Sequence, residues 1–250
     1  MKIKKILWTV GVGLLALVVI ALIVVALFLD GIVKTGIVTV GPKIVQVPIT
    51  LDSIHIGILS GSAKVKGLVL GNPEGYKTPF AVSVGLAEVS VDVASALSDK
   101  IVVHSIHVES PEITFEGGLT GNNLFKIRDN LSSLTAVGTS TAPSTNTPAA
   151  TGGKPAKKIE VDDFLITGAK VHVSLTGLGG HEMTLPLPDI HLTDLGKDTG
   201  GLTPADLTGR IFDAITTGTL KVVTESVGDV GKAATDSLHK ISSGLGGMFK

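Results

Sequence analysis

The residues best equipped for chemistry lie in one short segment, His104-Ser105-Ile106-His107-Val108-Glu109. Two imidazoles and a carboxylate are a donor set for Zn²⁺, which could activate a water for hydrolysis. In a regular strand His107 and Glu109 share a face, and His104 points the other way. The apolar phase slips between Val103 and Ile106, so a bulge is expected near His104-Ser105, and it could realign His104 with the other two. Solvent-facing strand histidines are the plainer reading, so no metal is assigned. Asp162-Asp163 is a carboxylate pair, but neighbours on a strand diverge, which makes it polar surface. Gly57-Ile58-Leu59-Ser60-Gly61 has its serine one place too late for a nucleophile elbow. Gly152-Gly153-Lys154 has no preceding strand to make it a phosphate loop, and there is no H-E-x-x-H. Cysteine is absent, which excludes a thiolate metal site and a cysteine nucleophile. No catalytic residue and no cofactor is assigned, and the chain is not expected to be an enzyme.

The elements behind these residues suggest a different kind of function. Lys2, Lys4 and Lys5 precede an uncharged run, Ile6–Leu29, which ends at Asp30. As a helix this run rises roughly 36 Å, enough to cross a bilayer core of about 30 Å. The lysine flank predicts a cytoplasmic N-terminus, a single pass through the inner membrane and a periplasmic bulk. A cleaved signal peptide is the rival reading. The run is long for one, and Val25-Ala26-Leu27-Phe28-Leu29 has no small-x-small end, which favours an uncleaved anchor. The net charge of -1 over 250 residues offers no bulk attraction for nucleic acid. Aromatics are only 4% of the chain, so an aliphatic sheet face is expected rather than a stacking site.

Short β-like segments follow the anchor. Val65 to Leu70 is closed by Gly71-Asn72-Pro73-Glu74-Gly75, a dense turn signal. Val89, Val91 and Val93 alternate with Glu88, Ser90 and Asp92, as in a sheet with one wet face. Ala94 to Asp99 makes a helical turn, and Asn123 to Leu134 a short helix. Residues 136–158 offer almost nothing to bury and are expected to be a disordered linker. The predicted organisation is an anchor at 1–30, a first β lobe at 31–135, the linker, a second β lobe at 159–202, and amphipathic helices at 203–250. In the last region Thr203 can cap a helix that starts at Pro204, and Gly218 is expected to interrupt it.

The segment Ile54–Leu124 resembles the N-terminal domain of the AsmA family, inner-membrane proteins with a periplasmic β-rich body. The resemblance rests on several motifs in order. They are Gly67-Leu68-Val69-Leu70-Gly71-Asn72-Pro73-Glu74-Gly75-Tyr76, Ala87-Glu88-Val89-Ser90-Val91-Asp92-Val93-Ala94, Ile106-His107-Val108-Glu109-Ser110-Pro111-Glu112-Ile113, and Gly121-Asn122-Asn123-Leu124. It implies an α+β, β-rich fold, with a curved, taco-like and mostly antiparallel sheet behind the transmembrane helix. It also implies binding or transfer of phospholipid through its acyl chains, in support of the outer membrane and envelope. Self-association or contact with other envelope proteins is a further implied partnership. This chain is shorter than the family's long members. About ten strands spaced about 4.8 Å apart would give a groove on the order of 50 Å.

The aliphatic face points to lipid independently of the resemblance. Candidate acyl-contacting residues are Val89, Val91, Val93, Ile106, Val108, Ile113 and Phe115, and polar substitutions at Val91 and Val108 are expected to abolish binding. Two alternatives stay open. In one, the helices from Pro204 onward close the face as an ordinary dry core; in the other, the chain is a scaffold for envelope proteins that carries no lipid.

Overall fold

The computed structural model describes residues 13–14, 17, 28–139, 157–175 and 182–246. Most of the Ile6–Leu29 run, and residues 140–156 of the linker, lie outside these. Among the described residues no helix is long and apolar enough to cross a membrane. The fold is α+β, with one mixed, open, curved sheet and three helices.

The first helix, α1 (28–45), covers the stretch expected only to lead away from the membrane. Its valines, isoleucines and glycines are weak helix formers. Burial overrides them: Leu29, Val33, Ile37, Gly41 and Val45 recur every four residues on one half-buried face. The helix runs along the outer edge of strand β1 (Ile49–Gly57). Asp30 Oδ1 accepts a hydrogen bond from Ile56 N at 2.9 Å, and Lys34 Nζ donates to Asp52 O at 2.6 Å. A sheet edge open to foreign strands is thereby covered.

Eight further strands follow: β2 (Ser62–Leu70), β3 (Val82–Val91), β4 (Lys100–Glu109), β5 (Glu112–Gly117), β6 (Lys158–Thr167), β7 (Lys170–Leu175), β8 (Glu182–Pro186) and β9 (Ile190–Leu195). Their registers show that these nine strands form six ribbons. One strand, β3, pairs in a single register with both β4 and β5. Each residue of β4 and of β5 meets the residue 58 positions later in β6 or β7, in parallel. The pairs β7–β8 and β6–β9 likewise continue one antiparallel register. The ribbon order is therefore β1, β2, β3, β4–β5, β6–β7, β8–β9. The two β stretches, 31–135 and 159–202, share one sheet. Helix α2 (Asn123–Thr139) lies in the crossover between the parallel ribbons. Six ribbons about 4.8 Å apart span roughly 24 Å, half the width expected from the sequence.

The breaks between paired strands belong to a crease that crosses the whole sheet. On every ribbon the inward-facing positions step by three residues instead of two at one shared line: Leu51 to Ile54, Val65 to Leu68, Val84 to Ala87, Val108 to Pro111, Ile166 to Ala169, and Leu187 to Ile190. The registers align these six steps on one transverse line. The registers run unbroken through all six steps, so no ribbon is bulged against its neighbour and each makes the same local turn on the same line. Three ribbons make the turn with a residue in the left-handed region: Gly67 (φ 62°), Ser110 (φ 48°) and Gly168 (φ 64°). A Cβ on Gly67 would also lie 2.0 Å from Asp52 Oδ2 on the neighbouring ribbon. A second, shorter crease crosses β4, β6 and β9. On it His104 is the extra residue, because Ser90 pairs with Ser105 and Val91 with Val103. This is the bulge expected from the phase slip.

Helix α3 (Pro204–Gly246) is continuous through Gly218. The interruption expected at Gly218 does not occur, and the helix packs there against the sheet at ordinary contact distance. A Cβ there would sit 3.4 Å from Leu187 Cδ1 and 3.8 Å from Ile190 Cδ1, the two residues of the crease step on the edge ribbon. Thr203 caps the helix, with Oγ1 accepting from Asp206 N at 3.1 Å.

A polar network ties the turn after β2 to the start of α2. Asn123 Nδ2 donates to Asn72 Oδ1 at 2.7 Å and to Thr114 O at 2.8 Å, while its Oδ1 accepts from Glu116 N at 2.9 Å. The Glu116 carboxylate accepts from Lys77 N, Thr78 N and Thr78 Oγ1 at 2.7–3.0 Å. Partial burial alone would raise the Glu116 pKa. The hydrogen bonds from Thr78 and Lys77, with the Lys77 charge, outweigh it and hold the carboxyl below its ordinary 4.5. A depressed folded pKa gives stability that is present above the unfolded value and is lost as pH falls through the folded one. Glu116→Gln should therefore cost about 2 kcal/mol at pH 7. The gap between variant and wild type should begin to narrow as pH falls below about 4.5 and should close only below the depressed folded value, where the native carboxyl itself protonates. Urea midpoints measured from pH 7 to pH 3 check both the size and the sign.

Candidate functional site: an apolar cavity under the crease

The inward faces of β2, β3, β4, β5 and β6 line, with α1 and α3, a partly open apolar cavity of about 380 Å³. Its floor includes Val65, Leu68, Val84, Ala87, Phe164 and Ile166, and its roof is Ile211, Phe212 and Ile215 of α3, with Val45 at the end of α1. Thr208 is the one lining residue with a polar side chain. Such a space offers no hydrogen bonds and suits a ligand recognised by its hydrocarbon.

Four of the candidates named from sequence, Val89, Ile106, Val108 and Ile113, line this cavity. Val91 and Val93 instead line a smaller apolar cavity of about 190 Å³ at the end of the sheet, with Leu29, Ile56, Ile58 and Ala63. Phe115 lines neither. It is 1% exposed and packs in the core on β5, next to α2. The sequence reading did not select the contributions of β2, β6 and α3. The α3 stripe Leu207, Ile211 and Ile215 was visible as one helical face, but nothing in it said which sheet residues it would cover. Beneath α2 and α3 the face of the sheet is closed: Ile127, Leu131, Val161, Val171, Val173 and Val223 are all at or near zero exposure. The inward face is thus part dry core and part cavity.

The metal candidates do not converge. His104 Nδ1 lies 3.2 Å from Asp162 Oδ2, and His107 Nε2 lies 3.1 Å from Thr167 Oγ1. His107 Nδ1 is 3.9 Å from Glu109 Oε1. Among the described residues no three metal-ligating side chains cluster. His55, His104, His107, His172 and His191 each sit 2.6–3.9 Å from a carboxylate oxygen. Those pairs are largely solvated, and such pairs contribute little individually. Asp162 and Asp163 diverge as expected, one to His104 and the other to His191.

A larger cleft of about 460 Å³ lies between α2 and the start of α3, lined by Arg128, Lys158, Arg210, Asp206 and Asp213 among others. It is open and of mixed charge. Arg128 stacks over Phe125 and pairs with Asp129, and Asp206 is bound to Thr203 Oγ1. The smaller apolar cavity is the more selective feature, because water gains nothing by filling it. No protein-family model, curated protein or solved structure matches the chain.

Proposed function

We propose that this chain is a membrane-anchored periplasmic protein of AsmA type that holds the acyl chain of a phospholipid or related lipid and helps move it within the envelope. The observation that carries the reading is the cavity of about 380 Å³, lined almost wholly by aliphatic and aromatic side chains. Its volume is at the low end of the roughly 300–1,000 Å³ of small-molecule sites, which fits a single chain better than a whole two-tailed lipid. The uncharged run Ile6–Leu29 behind three lysines, and the ordered motifs shared with the AsmA family, support the same reading. A sheet of roughly 24 Å is too narrow to bridge two membranes alone, so local shuttling or assembly with another component is the role proposed. Binding is the proposed activity, without catalysis.

The scaffold reading keeps one specific support, namely the part of the sheet closed by α2 and α3 as an ordinary core. The deciding experiment is lipid extraction and native mass spectrometry on the full chain, purified in mild detergent and carried through detergent exchange. Lipid retained in stoichiometric amount supports the proposal. A folded protein free of lipid transfers the weight to the scaffold.

A further inference from the structure

The exposed apolar side chains of the described residues are not scattered evenly. Leu59 is fully exposed at the tip of the β1–β2 turn, Leu97 is 93% exposed on the 3₁₀ turn Ala94–Leu97, and Val93 is 43% exposed just before it. These turns are neighbours at one end of the sheet, since Gly57 pairs with Ser62 and Ser62 with Ser90. Leu29 of α1 lines the end cavity together with Ile56, Ile58, Val91, Val93 and Ala96. The point where the chain leaves the Ile6–Leu29 run and the two apolar tips are therefore at the same end of the molecule. Single exposed leucines are ordinary, but here Leu59, Leu97 and Val93 group with the end cavity and with Phe28, exposed next to Leu29 in the chain, whereas Val40 and Leu119 lie apart.

We propose that this rim docks end-on into the leaflet from which the anchor emerges, and that the end cavity opens there as the way in for an acyl chain. The inference rests on the reading of Ile6–Leu29 as a membrane span. That run also identifies the occupant of the surface, because the bilayer holding residue 29 faces the tips before any soluble partner does. Two inserted leucines bind a membrane only marginally by themselves. A tether supplies the high effective concentration that makes marginal insertion persistent. The rim carries Asp92 and Asp99 against Lys100 and Lys157, whose Nζ donates to Ala96 O, so these charges balance and insertion is apolar, with no need of anionic lipid. From the rim, one strand leads inward. Val93 and Val91 line the end cavity, and Val89, two residues further along the same face of β3, lines the inner one.

The chain has no cysteine and one tryptophan, Trp8, which lies within the anchor. Single-cysteine variants Leu59→Cys, Leu97→Cys and Leu119→Cys of the full chain would carry an environment-sensitive nitrobenzoxadiazole label in phosphatidylcholine vesicles. Leu119 is exposed in the turn after β5, at the opposite end of the sheet. The expected result is a blue shift and quenching by doxyl-labelled lipid at positions 59 and 97, none at 119, and quenched Trp8. Quenched Trp8 with wet labels at 59 and 97 overturns the docking and leaves the anchor standing. A blue shift without doxyl quenching means a protein covers the rim, which also overturns it. Quenching at all three positions means the body lies flat on the membrane and refutes the end-on geometry. Unquenched Trp8 in protein that fails to float with vesicles removes the anchor and the inference together.

Discussion

Asn123→Ala is expected to cost about 3 kcal/mol, a large share of the stability of a typical domain. Asn123 has no exposed surface, and its amide makes three hydrogen bonds that nothing else can replace. Truncation leaves Thr114 O, Glu116 N and Asn72 Oδ1 without their partner, and an unmet buried group costs about 1–3 kcal/mol. The neighbouring asparagine provides the control. Asn122 is equally buried, but its Oδ1 caps α2 by accepting from Phe125 N at 2.9 Å. Aspartate can perform that role and gives up one longer bond, from Asn122 Nδ2 to Gly118 O at 3.2 Å, so Asn122→Asp should cost less than Asn123→Ala. Asn123→Asp should be at least as severe as Asn123→Ala, because it points a carboxylate at two carbonyl-type oxygens. Urea unfolding of the four proteins at pH 7 gives the order. Equal losses for Asn122→Asp and Asn123→Asp would mean that the network does not hold the loop as described.

That network also explains what the sequence motifs encode. Asn72 of the turn after β2 and Asn123 before α2 are 51 residues apart and hydrogen-bonded. Their residue types suggest turns and caps locally, and only the folded sheet shows that they meet. Other features divide in the same way. Alternation in Val82–Val93 and the phase slip at His104 were legible because each is a local pattern. The crease was not, although all six of its three-residue steps are present in the sequence. A single step such as Leu51 to Ile54 is indistinguishable from the fraying end of a strand. It acquires meaning only when the register lines up six of them. Helix α1 was hidden for a different reason: a chain of Val, Ile, Thr and Gly has β propensity, and burial against the β1 edge decides otherwise. Gly218 suggests a break because glycine weakens helices, but packing of α3 against Leu187 and Ile190 outweighs that cost.

The crease also links the fold to the cavity. A flat sheet under α3 would meet the helix along its whole width and close as an ordinary two-layer core. Bending about the line through Val84, Ala87, Val108 and Pro111 separates the middle ribbons from the helix, and all four of those residues line the cavity. The same line passes under Gly218, where sheet and helix are in contact. The cavity therefore lies along the line on which the six steps align.

Filling that space separates a binding site from a packing void. Val108 is 8% exposed and lines the cavity beside Ile106 and Ile166. A polar substitution there is a poor test, because an aspartate buried among hydrocarbons costs several kcal/mol and unfolds the reporter with the site. Val108→Phe adds apolar volume to a cavity of about 380 Å³ and removes room from any guest. If the cavity holds an acyl chain, the variant should keep or raise its melting temperature in lipid-free form. Its lipid occupancy should fall by about tenfold, equivalent to roughly 1.4 kcal/mol of binding. A void with no ligand predicts the same stabilisation with no change in bound lipid. A fall in melting temperature of the kind overpacked cores show, about 1–3 kcal/mol, would mean that the space is smaller in solution than its walls suggest. Occupancy and stability must be measured on the same preparation, because a lost ligand lowers the apparent stability of the wild type as well. The three outcomes differ in sign on at least one of the two axes, so the cavity's role follows from one variant and two measurements.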